Sequence, residues 1–116
     1  MHALIIEDEP LIALAIEDHL RALGYLTVEF AATQGDAVAA AKLRSPDLIT
    51  SDVRLAAGCG IAAVQEICDD RAIPVVFITA SAARVKECIE NAVIVRKPFK
   101  LGHLEQALIA SGARLA

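Results

Sequence analysis

The chain opens on an apolar run, residues 3–6, that stops abruptly at the acids Glu7, Asp8 and Glu9. Pro10 follows, where the first turn of a helix accepts it because its missing N–H has no partner there in any case. Over residues 10–23 the apolar positions Leu11, Leu14, Ala15, Leu20 and Leu23 recur at helical spacing, and Gly24 supplies a C-terminal stop. Residues 25–31 read as a short strand, and 34–44 as an alanine-rich helix closed by Ser45-Pro46. Residues 47–52 predict a third strand ending in acid, and a loop with Gly58 and Gly60 leads to a helix near 60–70. A fourth, buried strand runs over 74–78 and ends at Thr79, after which 82–90 predicts a short helix, 92–96 a fifth strand and 100–110 a last helix.

Strands and helices in strict alternation imply an α/β domain with a parallel sheet covered by helices on both faces. Crossovers in such sheets are right-handed, and binding sites form beyond the carboxyl ends of the strands. No repeat or low-complexity linker breaks the order, so residues 1–116 are expected to form one domain.

Composition narrows the function classes. With 56% hydrophobic residues the chain can bury a core without disulfide staples, but three Phe, one Tyr and one Met leave most of it to aliphatic side chains and alanine. A formal charge of −4 argues against a general nucleic-acid binder, which needs a basic face. The cysteines Cys59, Cys68 and Cys88 show no metal or disulfide spacing and are expected to be packing residues, with Cys59, near the acids, the one worth testing for reactivity. His2, His19 and His103 are too scattered to suggest a ligand set, and His19 reads as a helix-surface residue. The apolar start is too short for a signal peptide or a membrane span, so a cytoplasmic protein is expected, with no membrane partner.

Four of the five predicted strands end in reactive side chains: Glu7 and Asp8 after the first, Asp52 after the third, Thr79 after the fourth and Lys97-Pro98 after the fifth. In a parallel sheet these groups meet at one edge. Three neighbouring carboxylates repel one another, and a hard divalent cation suits such an oxygen-only cluster, with Mg²⁺ the common choice beside phosphate. Lys97 adds a point charge able to grip a phosphoryl oxygen, and the set contains the parts that phosphoryl transfer to Asp52 needs. Taken singly, each residue has a plainer reading: an acid that caps a turn, a threonine that satisfies a loop amide, a solvated lysine before a proline. Their joint placement is what favours chemistry.

The segments at 4–10, 46–52, 74–80 and 97–99, with Gly60 in the loop after Asp52, resemble the receiver domain of bacterial response regulators over nearly the whole chain. The resemblance implies a doubly wound, flavodoxin-like sheet in the order 2-1-3-4-5. It implies a phospho-acceptor switch, with no chemistry beyond its own phosphorylation and dephosphorylation, that takes phosphate on Asp52 from a sensor histidine kinase or phosphotransfer protein. Glu7, Asp8, Asp52 and the carbonyl of Arg54 would hold Mg²⁺. Lys97 would pair with the phosphoryl group and Thr79 would swing toward it, while Ala80, Ser81, Ile94 and Arg54 would tune the switch. The Lys97-Pro98 bond would be cis. The loops at 52–55 and 58–61 and the run 77–80 look most like receivers of the alphaproteobacterial general stress response regulator. Nothing precedes Met1, so a receiver standing alone is expected, as a monomer or weak dimer that acts through a downstream protein or as a phosphate sink.

Three departures matter. Ile94 stands where the family often has the Tyr or Phe whose ring follows the threonine, so output is expected to run through the 80–92 region with Ile94 only packing. The stretch from Thr79 to Lys97 is short by roughly one helical turn, which predicts an abbreviated fourth helix. Arg54 lies where side chains tune hydrolysis, either compensating the acids before metal arrives, restricting water's approach to the acyl phosphate, or standing solvated. Against these readings stand a phosphatase with an Asp nucleophile, whose DxDx[TV] run is missing; a nucleotide-binding module, whose phosphate cradle is missing; and a degenerate receiver that works unphosphorylated.

Overall fold

Along residues 1–115, which the computed structural model describes, strands and helices alternate without exception. The order is β1 (His2–Ile6), α1 (Pro10–Ala22), β2 (Thr27–Ala31), α2 (Gln34–Leu43), β3 (Leu48–Ser51), α3 (Gly60–Ile67), β4 (Val75–Thr79), α4 (Ala82–Cys88), β5 (Val93–Arg96) and α5 (Leu101–Ser111). The strands form one sheet in the order β2-β1-β3-β4-β5, and every neighbouring pair is parallel. This is the doubly wound order that the alternation and the family resemblance imply.

Successive side chains of a strand point to opposite faces, so both faces of the inner strands need cover. Ala3 and Ile5 of β1 join Leu48, Val76, Ile78 and Val95 in a core closed by α1 and α5. Leu4 and Ile6 join Ile49 and Phe77 in a second core closed by α2, α3 and Val85 of α4. Alanine does much of the helix-side packing in α2, where Ala37 and Ala41 are wholly buried and let the helix lie close to the sheet.

The structure corrects several expectations. In α1 the buried face is Ala13, Ile16 and Leu20, continued by Leu23, whereas Leu11, Leu14 and Ala15 face outward, Leu11 82% exposed. Residues 11–16 are all apolar, so periodicity alone could not fix the phase, and docking against β1 chose it. Strand β2 begins at Thr27 rather than at 25, because the Tyr25 amide still donates to the carbonyl of Leu20 and finishes the turn after α1. Tyr25 is wholly buried, with its hydroxyl donating to the carbonyl of Arg114 at 2.8 Å. Helix α3 stops at Ile67, and the acids Asp69 and Asp70 just beyond it are unfavourable at a helix C-terminus. Helix α4 is only seven residues long, the shortening expected from the sequence, and Asn91 turns the chain into β5 at a φ of 59°. Among the described residues no helix is long and apolar enough to cross a membrane.

Candidate functional site at the carboxyl edge of the sheet

Connections leave β1 and β3 toward opposite faces of the sheet, and the crevice between their carboxyl ends is the topological switch point where α/β sheets bind ligands. Backbone hydrogen bonds extend the ladder by one residue beyond the strands. The amide of Glu7 donates to Ala31, that of Asp52 to Ile6, and that of Lys97 to Thr79. Glu7, Asp52, Thr79 and Lys97 therefore leave the sheet at one edge.

The ammonium of Lys97 lies 2.6 Å from Oε1 of Glu7 and 2.7 Å from Oδ2 of Asp52, and donates to both. The remaining carboxylate oxygens are held by backbone: Oε2 of Glu7 accepts from the Glu9 amide, and Oδ1 of Asp52 from the Val53 amide. The Glu7 side chain is 1% exposed, while those of Asp52 and Lys97 are 14% and 16% exposed. Burial pushes the Glu7 carboxyl above its usual range, although the hydrogen bonds from Lys97 and the Glu9 amide pull the other way. Burial also works against the Lys97 ammonium, but the hydrogen bonds to Asp52 and Glu7 outweigh it and hold the lysine above its usual range. The outcomes differ because Lys97 has two carboxylate partners whereas Glu7 has one cation and a carboxylate neighbour.

Gly60 brings the start of α3 against the same corner. Its amide donates to the carbonyl of Val53, and a Cβ there would lie 1.6 Å from the carbonyl oxygen of Asp52. No other residue fits.

The other predicted positions divide clearly. Asp8 is half-buried and borders a cleft of about 460 Å³ with Glu7 and Asp36. Thr79 is wholly buried, and its hydroxyl accepts from the Ser81 amide at 2.9 Å. Ser81 is the N-cap residue of α4, and Ala80 is exposed beside it. Ile94 is half-buried, opposite Phe77 in the sheet and packed on the α2/α3 core. Arg54 is exposed and forms no ion pair among the described residues, so Lys97 rather than Arg54 balances the acids. The Lys97-Pro98 bond is cis.

Among the described residues no three acidic, histidine or cysteine side chains converge into a ready-made metal cage. Glu7 and Asp52 come together around Lys97, and Asp8, next to Glu7 in sequence, lines the neighbouring cleft. That donor set fits Mg²⁺ chemically, because Mg²⁺ prefers oxygen, keeps several waters and needs only one or two carboxylates.

Sequence reasoning missed several contacts. Lys97 grips Glu7 as well as Asp52. His19 is half-buried edge-on to Phe99, its ring centroid 5.6 Å away, rather than a surface residue. His2 is buried, with Nδ1 2.8 Å from the Thr27 hydroxyl and Nε2 3.3 Å from Glu29. The signal for His2 was its place inside an apolar strand, where a histidine needs polar partners.

Residues 3–109 match the family described as the response regulator receiver domain. The phyllosphere-induced regulator PhyR of Methylorubrum extorquens is 41% identical over 101 residues, covering 84% of this chain but only 38% of that protein. The solution structure of the receiver domain of Erythrobacter litoralis PhyR is 36% identical, with a TM-score of 0.84 over 99% of this chain and 95% of that one. The receiver domain of the sensor histidine kinase PA1611 from Pseudomonas aeruginosa, solved with a magnesium ion in its active-site cleft, is 32% identical, with a TM-score of 0.81 over 97% of this chain and 98% of that one. The order of the sheet, the acidic crevice bridged by a lysine and the match across almost the whole length agree: this chain belongs to the response regulator receiver domain family.

Proposed function

We propose that this domain is a phosphorylation switch that accepts a phosphoryl group on Asp52 from a histidine kinase or phosphotransfer protein. The observation that carries the reading is Lys97, held between Asp52 and buried Glu7 at the switch point of the sheet. Asp52 supplies the nucleophilic oxygen, and the donor's phosphorus–oxygen or phosphorus–nitrogen bond breaks as the acyl phosphate forms. The Val53 amide orients the carboxylate, and the Lys97 ammonium moves with the charge onto a phosphoryl oxygen. Glu7, Asp8, Asp52 and the carbonyl of Arg54 would hold Mg²⁺; the similar Pseudomonas receiver was solved with a magnesium ion in its active-site cleft. Bound there, the ion would neutralise the phosphoryl oxygens as charge develops.

The same geometry supports a readout. Thr79 holds the amide of Ser81, the N-cap residue of α4. A threonine hydroxyl that turns to the phosphoryl group must release that amide, which unpins the short helix. Output then runs through residues 80–92, with Ile94 as packing, and reaches a partner protein. Amide NMR spectra taken with acetyl phosphate and Mg²⁺ test this. Shifts across residues 81–88 in the wild type, absent in Asp52→Ala, are expected. Phosphorylation of the wild type without shifts in α4 would mean a phosphate sink rather than a signal carrier.

A further inference from the structure

The loop between β3 and α3 carries the Arg54 carbonyl, and it is pinned from outside. The Ala56 amide donates to the carbonyl of Ala32 at 3.0 Å, and the Gln34 amide to that of Ala57 at 2.9 Å. The third link comes from a side chain: Oε1 of Gln34 accepts from the Cys59 amide at 3.0 Å, across 25 residues of sequence. Cys59 in turn bridges antiparallel to Arg54. Gln34 therefore grips the residue directly opposite Arg54. Gly58 makes the approach possible, since a Cβ at that position would lie 2.5 Å from both Cβ and Oε1 of Gln34, and its φ of +81° disfavours any other residue.

We infer that Gln34 is a positioning residue for the metal site: it touches neither Asp52 nor Glu7, but fixes the loop that carries the Arg54 carbonyl, which follows Asp52 by two residues. The inference rests on the proposed Mg²⁺-dependent phosphorylation of Asp52. Groups that orient metal ligands from behind commonly change metal affinity by about tenfold or more when removed. Gln34 is neutral, so its effect is geometric and separable from the charge of the site. Its partner is a backbone amide, so an acceptor oxygen is the property required at this position.

The test is a titration of the intact chain with Mg²⁺, monitored through the amide shifts of Glu7, Asp8 and Arg54, in the wild type, Gln34→Met and Gln34→Glu. The methionine keeps the shape without the acceptor, whereas the glutamate keeps the acceptor. The expected result is roughly tenfold weaker Mg²⁺ binding in Gln34→Met, with faster hydrogen exchange at the Cys59 amide, and restoration of both in Gln34→Glu. Wild-type affinity in Gln34→Met, or equal weakening in both variants, would overturn the inference and leave Asp52 untouched as acceptor. Absence of any Mg²⁺ response in the wild type would instead overturn the proposed function on which it rests.

Discussion

Lys97 is the residue that ties the polar edge together, because its ammonium lies within hydrogen-bonding distance of two carboxylates, one of them buried. Replacing it with methionine keeps most of the apolar stem but strands Glu7 beside Asp52. Breaking a buried pair from one side typically costs about 3 kcal/mol, and that loss is expected at about pH 7 in metal-free buffer. The pH dependence comes from the direction of the Glu7 shift. A carboxyl raised above its unfolded value stabilises the fold most when protonated, and loses that contribution as pH rises through the folded value. The deficit of Lys97→Met should therefore shrink as the pH is lowered from neutral to mildly acid and Glu7 takes up a proton. Chemical denaturation at neutral and at mildly acid pH decides it, and an equal deficit at both would show that Glu7 is not the stranded group. At this scale the sequence named Glu7, Asp52, Thr79 and Lys97, since each falls just where a predicted strand ends. It could not show that Lys97 serves Glu7 too, because that contact depends on rotamers and on the β1–β3–β4–β5 order rather than on spacing.

The elements were legible wherever one principle dominated. The strand at β4 is a run of apolar, mostly β-branched residues that reads as buried on both faces, and it is so. The acids and Pro10 set the start of α1, but the face it buries was misjudged from Leu11 and Leu14, where an unbroken apolar stretch hides the helical phase. The short fourth helix was visible as a missing turn between Thr79 and Lys97. An aromatic ring that moves with the threonine is absent, because Ile94 occupies that position and packs on the α2/α3 core. Ile94→Ala is expected to cost about 1–2 kcal/mol, below the usual range for fully buried aliphatic truncation because the residue is only half-buried. It should leave the phosphorylation-dependent shifts of α4 in place. Loss of those shifts, with Asp52 still phosphorylated, would place Ile94 in the signalling path.

As a whole, the molecule joins two cores on opposite faces of one sheet to a single polar edge. The alternating pattern of the sequence was enough to imply that architecture, and the parallel topology converted four scattered strand ends into one site. Contacts that cross the fold without any periodic signal stayed hidden: Tyr25 to Arg114, His2 to Thr27 and Gln34 to Cys59 each join segments far apart in sequence. The family match extends over residues 3–109, whereas the chain covers 38% of the length of the Methylorubrum regulator. The contribution we propose for the domain itself is a phosphoryl acceptor, Asp52, joined through Thr79 to a short helix. Intact-mass spectrometry after incubation with acetyl phosphate and Mg²⁺, comparing the wild type with Asp52→Ala, tests that most directly. One added phosphoryl group in the wild type alone is the expected result. Equal addition to both proteins would mean that another residue is the nucleophile, and no addition to either, with a histidine kinase donor also failing, would mean that the domain works unphosphorylated.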